Sequence, residues 1–317
     1  AYVLSAEIYK YERNQDKYKE NLERVVQIDP EFEPMYFYVL ARLEYRSGNY
    51  HKAQEHLLNM KEYVPEEKLE NDKAVQHLQN CVDFSMKAIE NPVPFEPVNL
   101  GQNVNTPNDD YWPSLTADEM TLVTTVLIPR MGEMAYGGGN YHEDLFYSRK
   151  NAAGEWQRLR NMGPTLNSPR NEGAQCIKTD GSLCIFTACN RNDGKGSCDL
   201  YVSFNDAGSW SKPYNLGGSI NTGHWESNPS LSADGKYLYF ASNRPGGKGR
   251  MDIWRSEISD DMSLKEPENL GDVINTDKDD CSPFIHPDGK SLYFASEGHI
   301  GMGDYDLYVT RMQEDGS

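Results

Sequence analysis

From residue 99 onward the chain repeats one pattern four times, and this repetition limits its possible folds more than any other feature. Each unit opens on Asn-Leu-Gly or Asn-Met-Gly, at Asn99, Asn161, Asn215 and Asn269. An acidic residue follows eleven positions later, and each unit closes on Asp, then Leu or Ile, then an aromatic residue. Successive openings are 62, 54 and 54 residues apart. A regular period of this length indicates a repeat architecture in which each repeat is one supersecondary unit.

Each unit contains four short segments with strand character. In the third unit these segments are 228–232, 237–242, 252–258 and 267–270. Asp234-Gly235 lies between the first two and predicts a hairpin turn, because Gly accepts a positive φ. The segment 237–242 is apolar on both faces, as expected of a strand that is covered on both sides. Four-stranded sheets at this period predict the blades of a β-propeller.

The number of blades depends on how the ends of the repeat meet. The segment 95–100 has the character of a lone fourth strand, whereas the last unit, 280–310, supplies only its first three strands. We expect four blades if this N-terminal strand completes the last blade, and five or six blades if the parent protein continues with further repeats.

The first 90 residues show helical periodicity instead. A shift of 35 residues superimposes similar positions, and the second unit places small residues at Ala41 and Ala53 with a turn at Gly48. This pattern resembles the tetratricopeptide repeat, a stack of helical hairpins. Residues 66–90 predict a further amphipathic helix that caps the stack. The Pro-rich stretch 91–94 then marks a boundary between a helical domain, 1–90, and the propeller domain, 93–317.

The resemblance to tetratricopeptide repeats implies a groove that binds a partner's peptide. The positions that would line it share one face of the second unit's first helix: Met35, Tyr38, Arg42, Tyr45 and Arg46. The alternative is that these side chains pack against a preceding repeat.

The propeller units resemble PD40 repeats, which are WD40-like and of the TolB type, most closely in residues 229–244. Helical hairpins followed by such blades resemble the periplasmic OmpA-family proteins of Bacteroidetes, which include a component of the type IX secretion system. The resemblance implies a scaffold in the periplasm, associated with the outer membrane. It would bind other envelope or secretion-complex proteins, and peptidoglycan through an OmpA-like domain outside this chain.

Polar residues recur at one rim of the predicted propeller. They are the acids Asp110, Glu172, Glu226 and Asp280 and the residues after each second strand, Arg130, Arg191, Arg244 and Glu297. They could form a binding ring around the channel mouth, or they could be ion pairs and turn bonds that hold blades together. Repetition in every blade favours the structural interpretation, because binding sites break symmetry; the break at Glu297, and Arg130 beside the insertion 131–140, are therefore of most interest.

Charge and motifs narrow the function further. The net charge of −18 disfavours nucleic-acid binding, and no apolar run is long enough for a transmembrane helix. No G-x-S-x-G or H-E-x-x-H motif occurs, and the Gly-rich loops do not open helices. We therefore expect no enzymatic activity, no cofactor and no metal. The alternative of another class is a carbohydrate-binding or carbohydrate-cleaving propeller, because acidic residues are abundant.

The six cysteines contain no C-x-x-C pair, which disfavours a zinc site. Cys189 and Cys198 flank a polar loop at a predicted hairpin tip. They could form a disulfide in an oxidising compartment, or remain small buried thiols.

Overall fold

The computed structural model describes residues 1–130, 140–259 and 263–313. The chain folds as two units: residues 1–95 together with 299–306, and residues 96–298 together with 307–317. The segment 299–306, which lies between two strands in the sequence, is thus part of the helical unit. The insertion of the first blade falls mostly on residues 131–139, outside the described residues.

The helical unit contains six helices. They are α1 (Tyr2–Tyr11), α2 (Gln15–Ile28), α3 (Met35–Arg46), α4 (Tyr50–Tyr63), α5 (Glu66–Asn71) and α6 (Lys73–Glu90). Helices α1 and α2 form one hairpin and α3 and α4 a second, and α6 packs on α4. The prediction of one helix over 66–90 is wrong in one respect. Asp72 interrupts it in an extended conformation, and its carboxylate caps α6 by accepting hydrogen bonds from the amides of Ala74 and Val75.

The core of the helical unit is built from the positions that showed helical periodicity. Leu40, Ala41, Ala53 and Leu57 are completely buried between α3 and α4, where the two alanines allow the helix axes to approach closely. Gly48 ends α3 with a φ of +75°, a conformation that costs Gly little. The helices of the described residues include none that is both long and apolar enough to cross a membrane.

The second unit contains four antiparallel sheets arranged as a four-bladed β-propeller. The first sheet is β1 (Asp110–Leu115), β2 (Thr121–Pro129), β3 (Tyr141–Arg149) and β4 (Arg160–Asn161). The second is β5 (Glu172–Ile177), β6 (Leu183–Cys189), β7 (Cys198–Asp206), β8 (Ser209–Trp210) and β9 (Tyr214–Asn215). The third is β10 (Glu226–Leu231), β11 (Tyr237–Ser242), β12 (Asp252–Glu257) and β13 (Glu268–Asn269), and the fourth is β14 (Asp280–Ile285), β15 (Ser291–Ser296) and β16 (Asp306–Arg311). The predicted succession of helices and blades is confirmed.

Successive blades pack through their faces, and the first strand of each blade is the innermost. Strands β1 and β2 pack against β5, β5 and β6 against β10, and β10 and β11 against β14. Large side chains such as Phe186, Tyr201 and Phe240 are fully buried between these sheets. Burial on both faces explains why the second strands are mostly apolar rather than alternating.

Every innermost strand carries a bulge at the same position. Trp112, Ala174, Asn228 and Ser282 each lie two residues after the rim acid, and their φ angles lie between +43° and +58°. The strand register shifts at this point in all four blades. Such bulges bend a strand and increase its twist, which suits the tight inner edge of a blade.

The expected strand at 95–100 does not form, and the fourth sheet has three strands. Pro97 does not explain this, because Pro213 and Pro267 hold the same place in the repeat and strands β9 and β13 still form after them. Val98 is 85% exposed, and so is Leu307 on the outer strand β16. Among the described residues, no packing like that between successive blades joins the fourth sheet to the first. The N-terminal segment therefore does not close the ring.

Candidate functional site

The connector between blades is fixed by one buried asparagine. In the connector after the second blade, Asn221 accepts a hydrogen bond from the amide of Leu200 and donates one to the carbonyl of Leu200, both at 2.8 Å. Its amide group also donates to Oδ1 of Asn215 at 2.9 Å. Asn167 and Asn275 make the same three bonds in the neighbouring connectors. The asparagines of the repeated pattern therefore hold the chain path between blades.

The rim acids accept hydrogen bonds from the loop that precedes them. Glu226 is fully buried, and its carboxylate accepts hydrogen bonds from the amide and hydroxyl groups of Thr222 at 2.8 and 2.7 Å. It also accepts one from the hydroxyl of Ser242 at 2.9 Å. Glu172 is held by both groups of Ser168 in the same way. Asp110 and Asp280 bind the preceding threonine, Thr106 or Thr276.

Two of the rim arginines complete this arrangement. Arg191 lies 3.1 Å from Glu172 and donates to the carbonyl of Leu166 at 2.7 Å. Arg244 lies 3.5 Å from Glu226 and lies over the ring of Trp254. Burial lowers the pKa of Arg244, and the carboxylate of Glu226 opposes that shift. Each of these pairs is enclosed by its own blade and connector.

Arg130 and Glu297 depart from this pattern, and each has a different partner. Arg130 donates to the carbonyl of Pro169 at 3.0 Å and so reaches the next connector instead of its own acid. The sequence-based alignment of Glu297 with the arginines is off by one residue: the strand register places Gly298 where the third blade has Arg244, and Glu297 where it has Asn243. Glu297 accepts a hydrogen bond from Arg250 of the preceding blade at 2.9 Å. The fully buried Oδ1 atom of Asp280 has no hydrogen-bond partner, because the arginine that would face it is absent from the fourth blade. The break at Glu297 therefore exchanges an ion pair within a blade for one between blades.

The Gly-rich loops close on an aspartate of their own blade. The amides of Lys248 and Gly249 donate to the carboxylate of Asp252. A Cβ atom on Gly249 would lie 1.9 Å from the carbonyl oxygen of Lys278, so only glycine fits there. The second blade repeats this loop around Asp199. The amide nest that could cradle a phosphate is thus filled by a side chain of the protein.

These contacts decide what the rim can do chemically. A general acid or base needs a carboxyl group that can reach a substrate, and the rim acids Glu172, Glu226 and Asp280 are buried and bonded within their blades. Burial also raises the pKa of Asp144 and Asp199, although amide donors oppose the shift. Whether the rim binds a ligand stays a prediction; the contacts described are structural.

The helical groove positions fall into two groups. Met35 and Tyr38 are partly exposed and Arg42 is exposed, and the side chains of Tyr38 and Arg42 interact one helical turn apart. Burial raises the pKa of the Tyr38 phenol, while Arg42 lowers it. These three residues present an aromatic and cationic surface on α3.

Tyr45 and Arg46 contact the segment 299–306 instead. The Tyr45 hydroxyl donates to the carbonyl of Gly301 at 2.8 Å, and Arg46 pairs with Asp304 at 2.8 Å. Tyr50 donates to the carbonyl of Met302 at 2.7 Å. This part of the predicted groove is occupied by the chain itself. Sequence reasoning missed this contact because a separation of about 250 residues leaves no local pattern.

One cluster in the helical unit has the composition of a metal site: Glu23, Glu44 and His56. The Lys19 ammonium group lies 2.6 Å from Glu44, and Asn49 donates to the same carboxylate at 2.7 Å. Burial would raise the pKa of Glu44, but these two donors outweigh it and lower the pKa. A lysine thus supplies the positive charge that a metal would bring to this carboxylate.

Cys189 and Cys198 form a disulfide that joins β6 to β7 across the loop between them. Cys81, Cys176, Cys184 and Cys281 are not disulfide-bonded. Burial raises the pKa of Cys176 to about 12, so this thiol is unreactive in the folded protein.

Comparison with known proteins was made for the whole chain. No family model matches it, and no curated protein matches it. Among solved structures, TolB from Acinetobacter baumannii is 16% identical, with a TM-score of 0.42 over 66% of this chain and 42% of that one. A TolB-like protein from Agrobacterium tumefaciens is 20% identical, with a TM-score of 0.36 over 67% of this chain and 79% of that one.

Similar propellers also occur among enzymes. An α-L-arabinofuranosidase from Lactobacillus brevis is 8% identical, with a TM-score of 0.45 over 66% of this chain and 74% of that one. The chain spans less than half the length of the Acinetobacter TolB. These similarities concern the propeller fold, which TolB-like proteins and glycoside hydrolases share, and they do not decide between functions.

Proposed function

We propose that this chain is a non-catalytic scaffold that binds protein partners in a cell-envelope complex. The observation that carries the proposal is the internal use of the repeated polar residues. The repeated acids and asparagines, and the arginines Arg191 and Arg244, bond to loops and connectors of the propeller, so in this proposal the pattern encodes a rigid scaffold rather than a reaction centre.

The surface of α3 formed by Met35, Tyr38 and Arg42 is the partner-binding site in this proposal. It combines a partly exposed aromatic side chain with an exposed guanidinium group, the side chains that are enriched where proteins bind one another. Tyr45 and Arg46, at the end of the same helix, are bonded to Gly301 and Asp304 and therefore are not part of this surface. The partner would be another protein of the envelope or of a secretion complex.

The sequence resemblance and one feature of the fold support a periplasmic setting in this proposal. The chain resembles PorE, the peptidoglycan-associated component of the type IX secretion system, in its order of hairpins and PD40 blades. The Cys189–Cys198 disulfide is consistent with an oxidising compartment such as the periplasm. Attachment to peptidoglycan would depend on a domain outside this chain.

A quantitative capture experiment tests the proposal. The immobilised chain is incubated with an envelope extract of the bacterium from which the chain comes. The bound proteins are identified, and the amount of each is measured. The double variant Tyr38→Ala, Arg42→Ala should lose most of the partner captured by the unaltered chain. The matched control, Tyr11→Ala with Arg24→Ala, removes the same residue types from exposed positions of α1 and α2 and should capture normally. Equal capture by both double variants would refute the site.

The second candidate function is a carbohydrate-cleaving propeller. A glycosidase needs two carboxyl groups that flank the bond to be cleaved, and the buried rim acids do not offer such a pair. Incubation with peptidoglycan fragments and plant-wall oligosaccharides, followed by chromatography of the products, tests this candidate. We expect no turnover; release of shorter fragments that depends on one described carboxylate would contradict the scaffold proposal.

A further inference from the structure

A cavity of about 400 Å³ lies where the first residues of three innermost strands converge, at the axis of the propeller. Its volume is in the range of small-molecule sites. The side chains that give it its character are Tyr111 and Trp112 of β1, Glu143 of β3, Trp225 and Asn228. Thr187 and Ser227 add hydroxyl groups to its wall.

The residues of this axial cavity break the fourfold repetition. Trp112 stands where the other blades have Ala174, Asn228 and Ser282, and Tyr111 stands where they have Gly, Ser and Cys. Glu143 precedes the repeated aspartate, a position held elsewhere by Cys198, Met251 and Tyr305. Architecture explains what every blade shares, and it therefore does not explain these residues.

Trp112 is the least suited of the four residues to its backbone. All four occupy the left-handed region, at φ +58° for Trp112, where asparagine is enriched and bulky residues are outliers. A large side chain held in this conformation is a reason to look for a function. The strain places an indole ring at the wall of the axial cavity.

The polar groups of the cavity suit a neutral ligand with many hydroxyl groups. The Tyr111 hydroxyl donates to Glu143, which orients the carboxylate. Burial and the adjacent carboxylate raise the pKa of Tyr111, so the phenol remains a hydrogen-bond donor. Among the residues that the structure describes, the lining contains no lysine, arginine or histidine. An anionic ligand would thus find no counter-charge in a protein of net charge −18.

We propose that the axial cavity binds a neutral oligosaccharide, with pyranose rings against Trp112 and Trp225 and hydroxyl groups bonded to Glu143 and Asn228. The apolar faces of a sugar ring match flat aromatic side chains, while its hydroxyl groups need carboxylate and amide partners at the edges. This function is additional to partner binding by α3 and uses residues of the propeller unit alone.

The chain itself supplies the substitutions for the test. Trp112→Asn and Glu143→Met install residues that other blades carry at the same positions, so the backbone accepts them. Trp156→Ala is the matched control, because Trp156 stacks on Lys150 outside the cavity. Triacetylchitotriose, cellotriose and mannotriose are titrated up to about 10 mM by calorimetry, a range that covers weak saccharide affinities. A proline-rich hexapeptide is titrated in parallel.

We expect saturable binding of at least one trisaccharide, weakened about tenfold or more in Trp112→Asn and Glu143→Met and unchanged in Trp156→Ala. The urea midpoint of Trp112→Asn should equal or exceed that of the unaltered chain, which excludes unfolding as the cause. Three results would each overturn the proposal: no saturable binding of any trisaccharide, binding that both cavity variants retain, or binding of the peptide alone.

Discussion

Substitution of Asn221 by alanine tests the physical basis of the propeller most sharply. Asn221 is completely buried and makes three hydrogen bonds, two of them to the amide and carbonyl of Leu200, which is also completely buried. Each buried main-chain group left without a partner costs about 1–3 kcal/mol. Two such groups therefore predict a loss of about 3–4 kcal/mol, once partial entry of water is allowed for.

Asn105 provides the control within the same chain. It occupies the same position of the repeat, but it is only partly buried and accepts one hydrogen bond, from the amide of Leu100 at 3.1 Å. Its replacement by alanine should cost less than about 1 kcal/mol. The sequence pattern around Asn105 and Asn221 is the same. The expected difference between the two variants therefore depends only on whether the third strand of a blade lies beside the connector, as β7 does at Asn221.

Urea unfolding followed by tryptophan fluorescence measures both variants. All five tryptophans lie between residues 112 and 254, so the signal reports the propeller unit and not the helices. With an unfolding slope of about 2–3 kcal/mol per molar, Asn221→Ala should lower the midpoint by about 1–2 M, and Asn105→Ala by less than about 0.5 M. Equal shifts in the two variants would refute the assignment of Asn221 as the residue that fixes the connector.

Three further predictions concern the disulfide, the rim and the turns. Reduction of the Cys189–Cys198 disulfide should lower the urea midpoint of the unaltered chain by an amount equivalent to about 2–3 kcal/mol. Reductant should leave the midpoint of the double variant Cys189→Ser, Cys198→Ser unchanged, and a shift in that variant would contradict this account. Glu226→Gln should lower the free energy of unfolding by about 3 kcal/mol, because the buried guanidinium group of Arg244 loses its charged partner. Asp280→Asn should instead raise the urea midpoint, because it removes a buried charge whose Oδ1 atom has no hydrogen-bond donor. Midpoint shifts of the same sign in the two variants would show that the rim pairs are misassigned. Hydrogen bonds from Ser182 and Lys178 lower the pKa of Asp180 to about 2, so its contribution to stability is present above roughly pH 4, its unfolded value, and is lost as the pH falls towards 2. The midpoint of Asp180→Asn should therefore change less between pH 4 and pH 2 than that of the unaltered chain, and parallel pH profiles would exclude this role.

The fold could be predicted from the sequence because its strongest signals are local or periodic. The turn at Asp234-Gly235, the apolar strand 237–242 and the helical spacing around Ala41 and Ala53 each require only neighbouring residues. Repetition then turned one local pattern into four blades. The break in the helix at Asp72 was missed because its cap competes with a helical pattern that continues on both sides.

Two features could not be predicted because they depend on contacts between residues that are distant in sequence: whether the propeller closes, and which residues meet at the candidate sites. The segment 95–100 shares the Asn-Leu-Gly opening with true fourth strands, but whether it pairs depends on where β16 lies, which a local pattern does not encode. Arg250 as the partner of Glu297 and Gly301 as the partner of Tyr45 are of the same kind. The axial cavity was missed for another reason: its residues are those that do not repeat.

The central claim is that the repeated polar residues hold the propeller together, whereas partner binding belongs to α3. It is tested most directly by measuring stability and partner capture together for Glu226→Gln and for the double variant Tyr38→Ala, Arg42→Ala, at a temperature where all chains are folded. The account predicts a lower urea midpoint with full capture for Glu226→Gln. For the double variant it predicts that capture is lost while the helical signal in far-ultraviolet circular dichroism is retained, since tryptophan fluorescence does not report the helices. Loss of capture in folded Glu226→Gln, with normal capture by the double variant, would contradict it.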